Sequence, residues 1–195
     1  MRAGLTVYIV RHGETDWNRD RRYQGQRDVP LNVVGRAQAL RNGEALRQLL
    51  PELAAADFVS SPLGRARETM EILRSALGLA PDAYTLDDRV KELSYGSWEG
   101  QLQADLPALD PDAWAQRSKD PYRWRPAGGE SYADLMVRTV DWISGVTRDT
   151  VVAAHGGVMR TLQAHVCGLD PDRVPVLDAP QDKVLVLRDG GMSWL

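Results

Sequence analysis

Short apolar runs alternate with longer stretches of helical periodicity along this chain of 195 residues. The runs at residues 5–10, 57–60, 84–86, 150–154 and 184–187 are too short for helices, and they read as strands. Between them the apolar spacing becomes helical. Asn32 is placed to cap a helix reaching about Leu50, with Val33, Ala37, Leu40, Leu46 and Leu49 or Leu50 as an uneven stripe and Pro51 as its stop. Arg65 to Leu77 puts Ala66, Met70, Leu73 and Leu77 on one face, with Gly78 ending it. Ser131 and Asp134 have capping-box spacing ahead of a helix to Val146, lined by Met136, Val140, Ile143 and Thr147. Val158 to Val166 forms a last helix, closed by Gly168. Strands alternating with helices predict an α/β fold, a three-layer α/β/α sandwich with a mostly parallel central sheet.

The pattern lapses between residues 92 and 129, which are rich in Trp, Tyr, Pro and Asp, with short helical pieces around Ala104 and Ala113. With no internal repeat or low-complexity linker, residues 1–195 are expected to form one domain. The 92–129 segment is then an excursion over the sheet edge, a lid or substrate-pocket wall.

Composition narrows the function classes. A chain of this size buries roughly 70% of its unfolded surface and needs no metal or disulfide staple. Its net charge of −3 and pI near 5.6 argue against a nucleic-acid partner. The lone Cys167 fits a reducing cytoplasm, and no Cys/His spacing resembles a zinc site. The early apolar run is too short for a signal peptide, and no run of about 18 apolar residues predicts a membrane span. Of 24 cationic side chains only Lys91, Lys119 and Lys183 are not Arg. Most of these Arg are expected on the surface.

Chemistry collects where the strands end. Arg11 and His12 leave the first strand, Ser60-Ser61-Pro62-Leu63-Gly64-Arg65 the second, Glu92 follows the third, and His155-Gly156-Gly157 leaves the fourth. In open α/β sheets ligands bind outside the carboxyl ends of parallel strands, so these groups should meet on one rim. Two Arg, two His and one carboxylate suit a phosphate monoester. Guanidinium forks hold phosphoryl oxygens, and the helix after Gly157 offers backbone N–H groups. His165 is expected to pack within its helix. Arg19, Arg21, Arg22 and Arg27 are interleaved with Asp16, Asp20 and Asp28 and read as a solvated mixed-charge loop.

Five pieces in order carry a resemblance: Arg11-His12-Gly13-Glu14-Thr15 with Asn18, Gln24 and Gly25; Ser60 to Thr69; Glu92 to Gly100; Gly128-Gly129-Glu130-Ser131; and His155-Gly156-Gly157. The chain resembles the histidine phosphatase superfamily, in the branch shared by cofactor-dependent phosphoglycerate mutases and their phosphatase relatives. The resemblance implies a phosphomonoester hydrolase that needs no cofactor or metal and acts on small phosphorylated metabolites. His12 would be the nucleophile that becomes a phosphohistidine. His155 would help bind the transferring group beside Arg11 and Arg65. Asn18, Gln24, Gly25 and Gly156 match substrate- or phosphate-contacting positions. Glu92 matches the general acid, with Glu99, Asp87 and Asp88 as nearby competitors.

The alternative within the family is a mutase. That branch carries Lys and Arg after the catalytic Glu and an Asn after the second His-Gly. Here the segment is Trp98-Glu99-Gly100-Gln101-Leu102-Gln103-Ala104-Asp105, and Gly157 stands in the second place. A non-catalytic phosphate-binding or regulatory domain and a metal-dependent hydrolase are the readings from other classes. Trp98, Trp114, Tyr122 and Trp124 either wall a substrate pocket or pack the excursion.

Overall fold

The structure, a computed structural model, describes residues 2–49, 53 and 55–195. One six-stranded sheet organises it: β1 (Thr6–Arg11), β2 (Asp57–Ser60), β3 (Thr85–Leu86), β4 (Thr150–Ala154), β5 (Val184–Arg188) and β6 (Gly191–Trp194), in the order β3-β2-β4-β1-β5-β6. The first four run parallel, and β5 is antiparallel to both β1 and β6. The central strands β1 and β4 are almost wholly buried, which explains their unbroken apolar runs. β6 is an addition to the five expected strands. Its sequence, Gly-Met-Ser-Trp on a mostly exposed edge, carries little periodic signal.

The long helices are α2 (Val33–Arg47), α3 (Gly64–Ala76), α6 (Tyr132–Ser144) and α7 (Gly156–Val166), with short α1 (Asp16–Arg19), α4 (Leu106–Leu109) and α5 (Pro111–Lys119). Their ends follow the expected signals. Asn32 caps α2 by accepting from the Gly35 N–H. Ser131 and Asp134 form a complete capping box, an arrangement worth about 1 kcal/mol. Gly78 and Gly168 follow α3 and α7 at positive φ, where a side chain is disfavoured. Leu50 and Pro51, the expected end of α2, lie outside the described residues.

Two apolar stripes differ from expectation. On α2, Val33, Ala37 and Leu40 are exposed, and the inward face is Gly35, Ala39, Asn42, Gly43 and Leu46. Close approach is the reason. A methyl on Gly43 would meet Ala76 Cβ of α3 at 2.6 Å, so backbone proximity selects residues too small to register as hydrophobic. On α6 the fully buried residues are Tyr132, Leu135, Thr139, Trp142 and Ile143, with Met136 and Val140 on the flank. Thr139 enters this face because its hydroxyl is bonded to Leu135 O and Thr161 Oγ1. Thr147 lies beyond the helix. His165 is exposed, contrary to the expected packing role.

The 92–129 segment holds α4, α5 and a short 3₁₀ turn at Gly96–Trp98. Trp98 is buried at its centre. Its ring lies 4.4 Å from that of Trp124 and 6.1 Å from that of Trp114, and its Nε1 donates to Asp110 at 2.9 Å. Tyr122 packs instead on the main core. These four aromatics hold the excursion together and fix it to the sheet.

Candidate active site

Register brings the two histidines together. β1 and β4 are adjacent parallel strands with Arg11 paired to Ala154, so the next residue of each, His12 and His155, leaves the sheet side by side. Their ring centroids are 5.2 Å apart, close to the spacing of neighbouring strands. His12 N–H donates to Ala154 O at 2.9 Å, extending the ladder to the histidine itself.

His12 is 2% exposed and His155 fully buried. His12 Nδ1 lies 2.7 Å from Gly13 O. A carbonyl only accepts, so Nδ1 carries the proton and Nε2 keeps its lone pair. Burial holds the His12 pKa well below the usual 6.5, with Arg65 and Arg11 adding to the effect. His155 is shifted the same way by burial, then by Arg65. Its Nε2 lies 2.8 Å from Ser61 Oγ, and its Nδ1 is enclosed without a partner.

This pair makes stability depend on pH. The unfolded chain protonates both imidazoles below about pH 6.5, whereas the fold protonates them only at much lower pH. The unfolded state therefore binds more protons as pH falls, and stability drops with it. Between pH 7.5 and 5.5 the loss is about 1.4 kcal/mol per imidazole. Urea denaturation at the two pH values should show it, with His12→Asn losing about one imidazole's share less than the wild type. An equal loss in both would contradict the assignment.

The guanidiniums converge from separate elements. Arg65 opens α3 after the Ser61–Leu63 turn and is fully buried. It donates to Arg27 O and Gly25 O, each at 2.6 Å. Burial lowers its pKa to about 10, which leaves it charged at neutral pH. Arg11 Nη1 donates to Ala179 O at 2.6 Å, and its Nε is buried without a partner. Two buried nitrogens, Arg11 Nε and His155 Nδ1, thus lack a hydrogen-bond partner, and both belong to side chains close to His12. Unpaired buried polar atoms are costly, and a polar group brought against them would lower that cost.

The loop after β1 completes that side. With its amide oriented to satisfy both neighbours, Gln24 donates to Thr15 Oγ1 at 2.7 Å and accepts from Arg65 Nε at 2.8 Å. Gly25 adopts φ +56°, and a methyl there would overlap Glu99. Asn18 Oδ1 accepts from Thr15 N and from Gln181 Nε2, which also donates to His12 O. Thr15, Ser61 and Gln181 thus join the site although the strand-end motifs did not assign them roles.

Glu92 sits at the start of α7. Its carboxylate accepts from Gly157 N at 3.1 Å and from Leu93 N at 2.9 Å. The Gly157 amide, at the N-terminus of that helix, is engaged with Glu92. A methyl on Gly157 would come within 2.4 Å of Glu92 Oε1, so the second glycine makes room for the acid. Arg138 anchors the Glu92 main chain, donating to the carbonyls of Arg89, Lys91 and Glu92, and pairs with Glu130 at 3.0 Å. Glu130 also accepts from Ser94 N, which explains the Gly-Gly-Glu-Ser piece as a clamp on the acid's loop. The competitors have other work. Glu99 accepts from Gln26 N and Tyr95 N, and Asp87 pairs with Arg89.

Arg160 lies one helical turn beyond Gly156 on α7 and beside Arg11, where residues four apart share a face. The strand-end motifs did not include it. Gly13 and Gly35 are forced by contact of their two loops, since a methyl on Gly13 would lie 2.1 Å from Gly35 O. Among the described residues no three His, Cys, Asp or Glu side chains form a metal-binding group, and no helix is long and apolar enough to cross a membrane.

Known proteins are similar to this chain in sequence and in fold. A glucosyl-3-phosphoglycerate phosphatase of Mycolicibacterium vanbaalenii is 35% identical over 186 residues, covering 88% of this chain and 78% of that protein. A probable phosphoglycerate mutase GpmB of Salmonella paratyphi C is 39% identical over 135 residues, covering 69% of this chain and 59% of its own length. Among solved structures, a mycobacterial glucosyl-3-phosphoglycerate phosphatase in complex with VO3 superposes with a TM-score of 0.80 at 29% identity, covering 98% of this chain and 97% of that one. The α-ribazole phosphatase of Shigella flexneri, at 24% identity with a TM-score of 0.80 over 93% of this chain and 89% of its own, shares the fold. Residues 7–194 match the histidine phosphatase superfamily (branch 1), and the chain belongs to that family.

Proposed function

We propose that this protein hydrolyses phosphate monoesters of small metabolites through a phosphohistidine on His12. The observation that carries this reading is the buried, neutral His12 with its Nε2 lone pair free, next to two orphaned nitrogens that a phosphoryl group would satisfy.

In the first step His12 Nε2 attacks phosphorus, the P–O bond to the alcohol breaks, and Glu92 delivers a proton to the leaving oxygen. Arg11, Arg65 and His155 hold the three equatorial oxygens as charge shifts among them. In the second step Glu92 takes a proton from water, which attacks phosphorus and frees His12. Asn18, Gln24, Gly25 and Gly156 shape the phosphate cradle, directly or by placing Arg65. The excursion walls the pocket. The pI near 5.6 and the lone Cys167 suit a cytoplasmic enzyme acting on small molecules rather than nucleic acid.

The likeness to a probable phosphoglycerate mutase keeps one competing reading in view. Against it, residues 98–116 contain no Lys or Arg, and Arg117 lies against the rings of Tyr23 and Trp114. The expected result is turnover of an aryl phosphate in excess chelator, and release of inorganic phosphate from 3-phosphoglycerate without isomerisation. Migration of phosphate to the 2-position would establish the mutase, and loss of turnover in chelator would remove the metal-free scheme.

A further inference from the structure

Ser61 has no task in that scheme, although it touches one of the two histidines. β4 lies between β2 and β1 in the sheet, so the residue leaving it, His155, has a neighbour on each side. His12 follows β1 on one side. On the other, Ser61 follows β2, and its N–H donates to Ala153 O at 3.0 Å as the β2–β4 ladder runs out. Ser61 is fully buried, and its Oγ lies 2.8 Å from His155 Nε2.

Ser61 has one proton to place, and that sets the direction of the bond. His155 is neutral at neutral pH, held so first by burial and then by Arg65. One of its ring nitrogens therefore carries a proton and the other a lone pair. Ser61 Oγ also accepts from Leu63 N at 3.4 Å, and among the described residues its own proton has no acceptor other than His155 Nε2. Were Nε2 protonated, Oγ would receive two N–H groups, and the buried hydroxyl proton and the Nδ1 lone pair would both be stranded. With the hydroxyl donating, only the Nδ1 N–H is left without a partner. The cations that act on this ring, Arg65, Arg138 and Arg11, favour a lone pair at Nδ1, but none of them donates to it. Their pull on a neutral ring from beyond hydrogen-bond distance is weaker than the cost of stranding a buried hydroxyl.

We infer that Ser61 is a positioning residue: its hydroxyl donates to His155 Nε2, fixes the His155 proton on Nδ1, and so makes that nitrogen a donor to the phosphoryl oxygen. This deepens the proposed activity and rests on His155 contacting the transferring group. It also divides the labour of the two histidines. Both carry the proton on Nδ1, but His12 gives it to Gly13 O and keeps an Nε2 lone pair for phosphorus. The Nε2 lone pair of His155 is taken by Ser61, so this ring can donate to a phosphoryl group but not attack it.

Nitrogen NMR of the protein carrying isotope-labelled histidine tests this, because protonated and unprotonated ring nitrogens resonate far apart and couplings to the ring C–H protons tell Nδ1 from Nε2. The chain has three histidines; His165 is exposed, and His12→Asn removes the His12 signals. In the ligand-free wild type at neutral pH, His155 should carry its proton on Nδ1. A proton on Nε2 overturns the inference whether or not any variant folds. Ser61→Ala should shift His155 towards the Nε2-protonated form and bind orthovanadate at least about tenfold more weakly in calorimetry, the worth of one hydrogen bond to a charged group. Ser61→Cys, close in size but a weak donor, should fall between. A proton that both variants leave on Nδ1 overturns the inference, and so does a shifted proton with vanadate affinity unchanged. Neither measurement needs turnover. If proton position and affinity both follow Ser61 but aryl phosphate is not hydrolysed, the phosphatase reading falls and the role of Ser61 stands.

Discussion

His12→Ala should lower turnover by at least about 10⁴-fold and abolish acid-labile phosphate labelling of the protein. Both effects have one cause in the proposed scheme, where His12 alone takes the phosphorus. The imidazole of His155, 5.2 Å away between centroids, is the nearest substitute. Its Nε2 is bonded to Ser61, and its Nδ1 is buried without a partner. The cage of Arg11 and Arg65 survives the substitution, so His12→Ala should still bind vanadate or phosphate. That separates a lost nucleophile from a lost fold. Labelling that persists in His12→Ala would move the covalent step to another residue. Labelling lost together with phosphate binding would show that the substitution had broken the pocket.

Much of this site was legible in the sequence because parallel topology forces it. An apolar strand entering His and then Gly, twice, places both imidazoles at one rim once β1 and β4 are neighbours, and register does the rest. Arg65 and Glu92 were legible for the same reason, as residues beyond the ends of β2 and β3. What stayed hidden depends on close packing or on distance along the chain. Leu46 of the expected stripe is buried, but the rest of the inward face of α2 is Gly35, Ala39, Asn42 and Gly43, too small or too polar to leave a hydrophobic signature. Gly157 was legible only as part of the His-Gly-Gly turn, and the space it leaves belongs to Glu92. Arg160 was masked by composition, since nearly every cation in the chain is Arg and the position lies inside a helix rather than at a strand end. Its only sequence signal was the spacing of four from Gly156, the helical period that returns it to the same face. Gln181 lies far along the chain from the loop it braces, and no local pattern joins them.

Glu92→Gln should divide substrates by leaving group. An alkyl alkoxide is too basic to depart without a proton, so phosphoryl transfer from an alkyl ester to His12 should slow by about 10²- to 10⁴-fold. A nitrophenolate leaves unassisted, and its transfer step should slow by less than about tenfold. The amide is nearly isosteric, and its oxygen can still accept from Gly157 N or Leu93 N, so the loop clamped by Arg138 should keep its place. The second step needs Glu92 again, now to take a proton from water. With a nitrophenyl ester, Glu92→Gln should therefore give a burst of nitrophenol equal to the enzyme concentration, followed by slow steady turnover, as the phosphohistidine accumulates. Stopped-flow measurement of the burst isolates the first step from the second. Equal slowing of the transfer step for alkyl and nitrophenyl esters would show that Glu92 positions the substrate and that the proton comes from elsewhere. A burst absent from Glu92→Gln, with the alkyl ester alone impaired, would confine Glu92 to the first step and assign water activation to another group.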